Sequence, residues 1–392
     1  MKKKPATSKS TTPAKGNEPE FVSLIAEVRE LVQSARHAAA STVNTLQVLT
    51  NFEIGHRIVE HEQQGEARAR YGDMLMKALA AKLSEEFGRG FSKRNLDYMR
   101  RFYMDYAERS PRIVQTVSAQ SDSTAIVQTL SAKLQNAHNS PLPTEKLQHS
   151  FSLSWSHYVL LLSIQDLDER SFYEIEADSE SWSLRELKRQ VASCLYERLA
   201  LSRNEESVKE LARKGQIVLR PEDILKEPYV LEFLGLDEKA SYSESDLEQA
   251  IIDRIEHFLL ELGKGFLFEA RQKRFTFDED HFFVDLVFYN RLLRCYVLID
   301  LKLDKITHQD LGQMQMYVNY FDRHVTLPDE NPTIGILLCK RKKDAIVELT
   351  LPPDANIHAR EYKLYLPSKE LLQEMLMEWA REAGRKGVTK GA

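Results

Sequence analysis

HFFVDLVFYNRLLRCYVLIDLK, residues 281–302, is the stretch that decides the fold. Two runs rich in Val, Ile, Leu and aromatic residues meet near Asn290-Arg291-Leu292, the pattern of two strands and a tight turn. Asp285 interrupts the first run; Asp300 and Lys302 interrupt the second. Residues two apart on a strand share a face, so Asp300 and Lys302 project together while Leu301 points the other way. A hairpin about residues 290–292 brings Asp285 and Asp300 to its open end. Two carboxylates that close repel each other unless a cation shares them. Mg²⁺ suits such a pair, being a hard ion served by carboxylates and water. Lys302 alongside can orient or help deprotonate a metal-bound water, or offset charge on a pentavalent phosphorane. The spacing taken alone also fits a solvated sheet face or a structural Asp300–Lys302 ion pair.

Upstream, SESDLEQAIIDRIEHFLLELG (243–263) has the spacing of an amphipathic helix ending at Gly263, and FLFEARQKRFTF (266–277) that of a strand. Downstream, HQDLGQMQMYVNYFDRH (308–324) reads as a helix and TIGILLCK (333–340) as a buried strand, with further strand character in AIVEL (345–349) and EYKLYL (361–366). The order α-β-β-β-α-β predicts a mixed sheet with helices packed on it. Gln313 and Tyr317, four apart, share a face of the helix after the second acidic strand. An amide and a phenol facing a carboxylate cluster can hold a phosphate or fix the lysine. Glu256, on the helix before the first strand, can bring a third carboxylate to the metal. Each of these residues, taken singly, is also an ordinary helix-surface or core residue.

The rest of the chain divides by composition. Residues 1–19 have almost nothing to bury and are expected to form a flexible tail. Residues 20–213 carry helical spacing, with Ser92 and Ser183 as N-caps and a Ser/Gln/Thr-rich, linker-like insertion at 108–149. Residues 214–240, with Pro221 and Pro228, form a connector; 241–380 form the sheet domain, and 381–392 a second flexible tail. Between Arg89 and Tyr106, the cations Arg89, Lys93, Arg94, Arg100 and Arg101 outnumber Asp97 and Asp105, and Asn95, Tyr98 and Tyr103 lie among them. Such a helix can neutralise phosphates and contact bases. It also fits a charged surface beside an aromatic core.

Composition limits the function classes. Of 392 residues, 42% are hydrophobic and 29% charged, with 54 basic against 59 acidic side chains and a net charge of −5. That excludes histone-like binding driven by overall charge, though not a local basic patch. No apolar run reaches the length of a membrane span. The basic start lacks the apolar region of a signal peptide. Cys194, Cys295 and Cys339 lie far apart, so neither a disulfide scaffold nor a thiolate metal site is expected, and a cytoplasmic setting is.

The αβββαβ order with Asp285, Asp300-Leu301-Lys302 and the Q-x-x-x-Y of Gln313 and Tyr317 resembles the PD-(D/E)XK nuclease superfamily. More closely, the chain resembles the bacterial YhcG-like nuclease family. LLELGKGFLFEARQKRF, FFVDLVFYNRLLRCYVLIDLK and LGQMQMYVNYFD carry that likeness in the C-terminal half. YGDMLMKALAAKLSEEFGRGFSKRNLDYMRRFY, LSWSHYVLLLSI and SWSLRELKRQVASCLYERL carry it in the N-terminal half. The resemblance implies an α/β nuclease domain after a mainly helical, nucleic-acid-binding domain. It implies that Asp285 and Asp300, with Glu256 or in its place Glu261 on the same helix, hold Mg²⁺ or Mn²⁺, that Lys302 is the catalytic lysine, and that Gln313 and Tyr317 support the geometry. Two departures stand out: Val284 replaces the proline that names the superfamily, and Asp300 stands where close relatives carry glutamate. The implied activity is that of a metal-dependent deoxyribonuclease, an endonuclease on branched or foreign DNA, with RNA left open. A homodimer and a defence or repair partner are expected on the same ground. The alternative is a catalytically weak nucleic-acid-binding subunit of a larger defence or repair assembly.

Overall fold

Side chains at helical spacing build the first of two units into which the chain divides, between Leu162 and Ser163. The structure, a computed structural model, describes residues 42–62, 69–109, 151–203, 205–237, 241–277, 279–352 and 355–378. Both expected tails and nearly all of the linker-like insertion lie outside those residues. Among the described residues, no helix is long and apolar enough to cross a membrane.

The first unit contains helical residues 42–62 (α1), α2 (Ala69–Phe87), α3 (Lys93–Tyr106) and α4 (Trp155–Leu161). Ser92 caps α3, its side chain accepting the Asn95 N–H at 3.3 Å. Leu96, Met99, Phe102 and Tyr106 recur every three or four residues and are buried. Phe102 meets Phe52, Phe151 and Tyr158 at ring-centroid distances of 5.8, 5.0 and 4.9 Å. A Cβ on Gly55 would lie 2.0 Å from the Met99 carbonyl oxygen, so only glycine lets α1 approach α3 this closely.

The second unit joins α5 (Leu167–Ser179), α6 (Leu184–Ala192), α7 (Leu195–Leu201) and α8 (Glu205–Lys214) to the sheet domain. The sequence groups these helices with the N-terminal domain; in the structure a buried ion cluster, described below, links α6 and α7 to the sheet domain. Ser183 and Glu186 form the expected capping box of α6. The short strand β1 (Tyr229–Val230) precedes α9 (Glu244–Asp253) and α10 (Ile255–Leu262). Then follow β2 (Phe266–Phe277), β3 (Asp280–Asn290), β4 (Cys295–Lys305), α11 (His308–His324), β5 (Ile334–Arg341), α12 (Asp344–Thr350) and β6 (Ile357–Lys363). Residues 369–378 are helical.

The six strands lie in the order β1-β6-β5-β4-β3-β2. β2, β3 and β4 form an antiparallel meander; β4, β5, β6 and β1 run parallel. Leu286, Phe288, Ile299 and Leu301 pack with Leu247, Ile251, Phe258 and Leu262 of α9 and α10. Val287 and Leu298 pack with Leu311, Met314, Tyr317 and Phe321 of α11. α11 sits close: a Cβ on Gly335 of β5 would meet the Met314 side chain at 2.7 Å.

Two expectations are corrected. Residues 243–263 form two helices, because the chain leaves helical geometry at Arg254. AIVEL lies in α12 rather than a strand. β5 already has β4 and β6 on its two edges, and parallel β5 and β6 need a crossover, which α12 supplies.

Candidate active site

The β3–β4 ladder runs from Asn290↔Cys295 to Leu286↔Ile299 and stops there. Asp285 is the next residue of β3, and its Oδ2 accepts the Leu301 N–H at 2.9 Å, satisfying a donor the ended ladder leaves over. Asp300, on β4, is only 4% exposed. Burial and the adjacent Asp285 charge, partly offset by Lys302, raise its carboxyl from the ordinary 3.8 to about 7. Lys302 Nζ lies 2.8 Å from Asp300 Oδ2, 3.7 Å from Glu244 Oε2 and 4.0 Å from Asp310 Oδ1. Burial pulls the lysine down, but Asp300, Glu244 and Asp285 outweigh it and hold the ammonium above its ordinary range. In this arrangement Lys302 is an ammonium paired with Asp300.

α11 lays Tyr317 beside the pair. Its phenol is buried, receives a hydrogen bond from the Gln313 amide, and is raised by burial, with the Asp300 and Asp285 charges adding to that. The structure thus gathers Asp285, Asp300, Lys302 and Tyr317, with Gln313 held by Tyr317.

Glu256 is not brought to this site. It stands in the first turn of α10, its side chain 84% exposed and 3.5 Å from His257, because the break at Arg254 turns it away. Glu261 is fully buried in another setting: it accepts from Arg198, from Arg189 at 3.2 Å and from the Val230 N–H at 3.0 Å. Burial alone would raise its carboxyl, but Arg198, Lys226 and Arg189 drive it down to about 2. It is a structural anion that joins α6 and α7 to the sheet domain.

The helix carboxylate near the site is Glu248 of α9, 3% exposed. Its Oε2 accepts from Gln272 Nε2 at 2.6 Å, and the same nitrogen donates to Asp285 Oδ1 at 2.9 Å. Arg271 Nε reaches the other Glu248 oxygen at 2.5 Å. The available signal was position: Glu248 lies between Leu247 and Ile251 on the apolar face of LEQAI, where an unpaired charge is costly.

In the first unit, Arg100 pairs with Glu62 at 3.2 Å and Arg101 with Asp105 at 3.6 Å. Arg94 donates to the Tyr98 hydroxyl at 3.1 Å. Arg89 lies in the exposed turn before α3, and Lys93 is the helix's first residue.

Among the described residues, no group of three or more His, Cys, Asp or Glu side chains is assembled as a metal cage. The acids at the site nevertheless fit Mg²⁺. Asp285 and Asp300 are hard oxygen donors, and the raised Asp300 carboxyl shows two acids placed where ionising both is costly without a cation. Mg²⁺ is commonly held by one or two carboxylates, with water filling the remaining positions.

A sheet with an antiparallel meander and parallel crossover, carrying D…DxK on its central strands and Q-x-x-x-Y on the following helix, defines a PD-(D/E)XK nuclease domain. Residues 222–377 match the YhcG PDDEXK nuclease domain, and residues 27–198 match the DUF1016 N-terminal domain. The chain belongs to the YhcG-like family of that superfamily. It is 43% identical over 348 residues to an Escherichia coli (strain K12) protein named "Putative nuclease YhcG", covering 88% of this chain and 91% of that one. A crystal structure of a repair endonuclease from Pyrococcus abyssi aligns with 33% of this chain and 50% of its own, at 18% identity and a TM-score of 0.22, too slight a likeness to bear on fold or activity.

Proposed function

We propose that the chain is a divalent-metal-dependent nuclease that hydrolyses DNA phosphodiester bonds, an endonuclease acting on branched or foreign DNA. The observation that supports it is the Asp285–Asp300–Lys302 cluster at the splayed end of the β3–β4 hairpin. In this reading Asp285 and Asp300 hold Mg²⁺ or Mn²⁺, with Glu248 close by in place of Glu256. A bound ion of this kind polarises a phosphoryl oxygen and lowers the pKa of an attacking water. Lys302, held as an ammonium, supplies positive charge where negative charge develops on the phosphoryl oxygens. Tyr317 and Gln313, hydrogen-bonded to each other on α11, support the geometry of the site. Arg89, Lys93, Arg94, Arg100 and Arg101 form a basic surface for the DNA backbone, at the cost of exchanging the pairs that Arg100 and Arg101 now make.

A second reading, a nucleic-acid-binding subunit with weak catalysis, draws on Asp300 itself, which is one methylene shorter than the usual glutamate. Cleavage of labelled linear, nicked, forked and four-way DNA and of a matched RNA, with Mg²⁺ or Mn²⁺, separates the two. The nuclease reading expects metal-dependent cutting, fastest on the branched DNAs. Tight binding to the same DNAs without cutting supports the subunit reading.

A further inference from the structure

Gln272 stands directly opposite Asp285, between the registered pairs Arg271↔Leu286 and Lys273↔Val284. Its φ of +46° is left-handed, a conformation uncommon for a residue with a Cβ. Consecutive residues of a regular strand point to opposite faces. Here Arg271 and Gln272 both reach Glu248, one to each carboxylate oxygen, and the left-handed residue makes that possible. The Gln272 amide nitrogen also donates to Asp285 Oδ1, so one NH₂ group spans two carboxylates carried by different elements. Charge balance for Glu248 needs only Arg271. The strained backbone at position 272 adds a bridge, and that bridge ends on Asp285.

We propose that Gln272 is a positioning residue for the divalent cation: its amide fixes Glu248 and Asp285 relative to each other so that their remaining lone pairs converge on one ion. The inference rests on the metal-dependent reading of the Asp285–Asp300 pair. Gln272 itself is a donor through its NH₂ and is not assigned as a ligand.

The test is Mn²⁺ binding to the full chain without DNA, followed by calorimetry and by the electron paramagnetic resonance spectrum of the bound ion. Gln272→Ala removes the bridge. Gln272→Gly removes it and also relieves the left-handed backbone. Both variants are expected to bind Mn²⁺ about 10–100-fold more weakly, the usual effect of losing a hydrogen-bond partner of a ligating carboxylate. Without metal, Gln272→Gly should melt above Gln272→Ala, and the spectrum of residual bound Mn²⁺ should change in both. Gln272→Asn keeps an amide that is too short to span both acids, is expected to bind as weakly, and serves if the alanine variant does not fold. Wild-type Mn²⁺ affinity in the alanine or glycine variant overturns the assignment. If Asp300→Ala leaves wild-type Mn²⁺ binding intact, the metal reading of the acid pair falls, a failure distinct from that of Gln272 alone.

Discussion

Replacing Asp300 with asparagine should stabilise the metal-free protein at pH 8. The Asp300 carboxyl is 4% exposed and raised from 3.8 to about 7 by burial and by Asp285. For an acid raised on folding, the folded state keeps a proton that the unfolded chain releases. Stability therefore falls as pH rises from about 4 to about 7, and the loss is complete above that window. Three logarithmic units at about 1.4 kcal/mol each set an upper bound of about 4 kcal/mol. Asparagine imitates the protonated acid and removes this cost while keeping the shape. The assay is urea unfolding of wild type and Asp300→Asn in EDTA, from pH 4 to pH 8. The two proteins should be equally stable near pH 4 and diverge with rising pH, the variant ahead by up to about 4 kcal/mol at pH 8. Added Mg²⁺ should narrow the gap by stabilising wild type alone. A variant that is no more stable than wild type at pH 8, or a gap that does not change with pH, would refute the electrostatic account of the acid pair.

Other predictions concern the frame around the site. Arg198→Met leaves the buried Glu261 with fewer partners and should cost about 3–5 kcal/mol in urea unfolding, part of it recovered in the Arg198→Met/Glu261→Leu double variant. His358, on β6, is held by burial and by nearby Arg360 at about 4, below its ordinary 6.5. Its folded form is neutral where the unfolded chain binds a proton, so stability is lost as pH falls from about 6.5 to about 4. That loss is about 3 kcal/mol, and His358→Leu should flatten the acid limb of the stability profile by that amount.

The acidic hairpin was legible in the sequence because its signal is local. Aspartates in an apolar strand mark where the chain gives up hydrophobic burial for something else, and strand periodicity alone puts Asp300 and Lys302 on one face. The caps at Ser92 and Ser183 were legible for the same reason, each depending on residues within three positions. What failed was set by tertiary placement. Glu248 and Glu256 have similar sequence surroundings, and which one turns toward the acids depends on the break at Arg254, a residue with no helix-breaking chemistry of its own. AIVEL has strand composition, but neighbouring strands already occupy the edges of β5. Glu261, an acid on the helix before the first strand, is taken up by Arg189, Arg198 and Lys226 from distant stretches of sequence, a pairing that no local pattern encodes.

The most direct test of the central claim is the cleavage of supercoiled and synthetic DNA by wild type, Asp285→Asn and Lys302→Met, with Mg²⁺ and with excess EDTA. Wild type should cut with Mg²⁺ and stop with EDTA, and each substitution should slow cutting by at least about 100-fold while folding and DNA binding persist. Cutting that survives Lys302→Met at the wild-type rate, or that EDTA leaves untouched, would contradict the assignment of the Asp285–Asp300–Lys302 cluster as the catalytic centre.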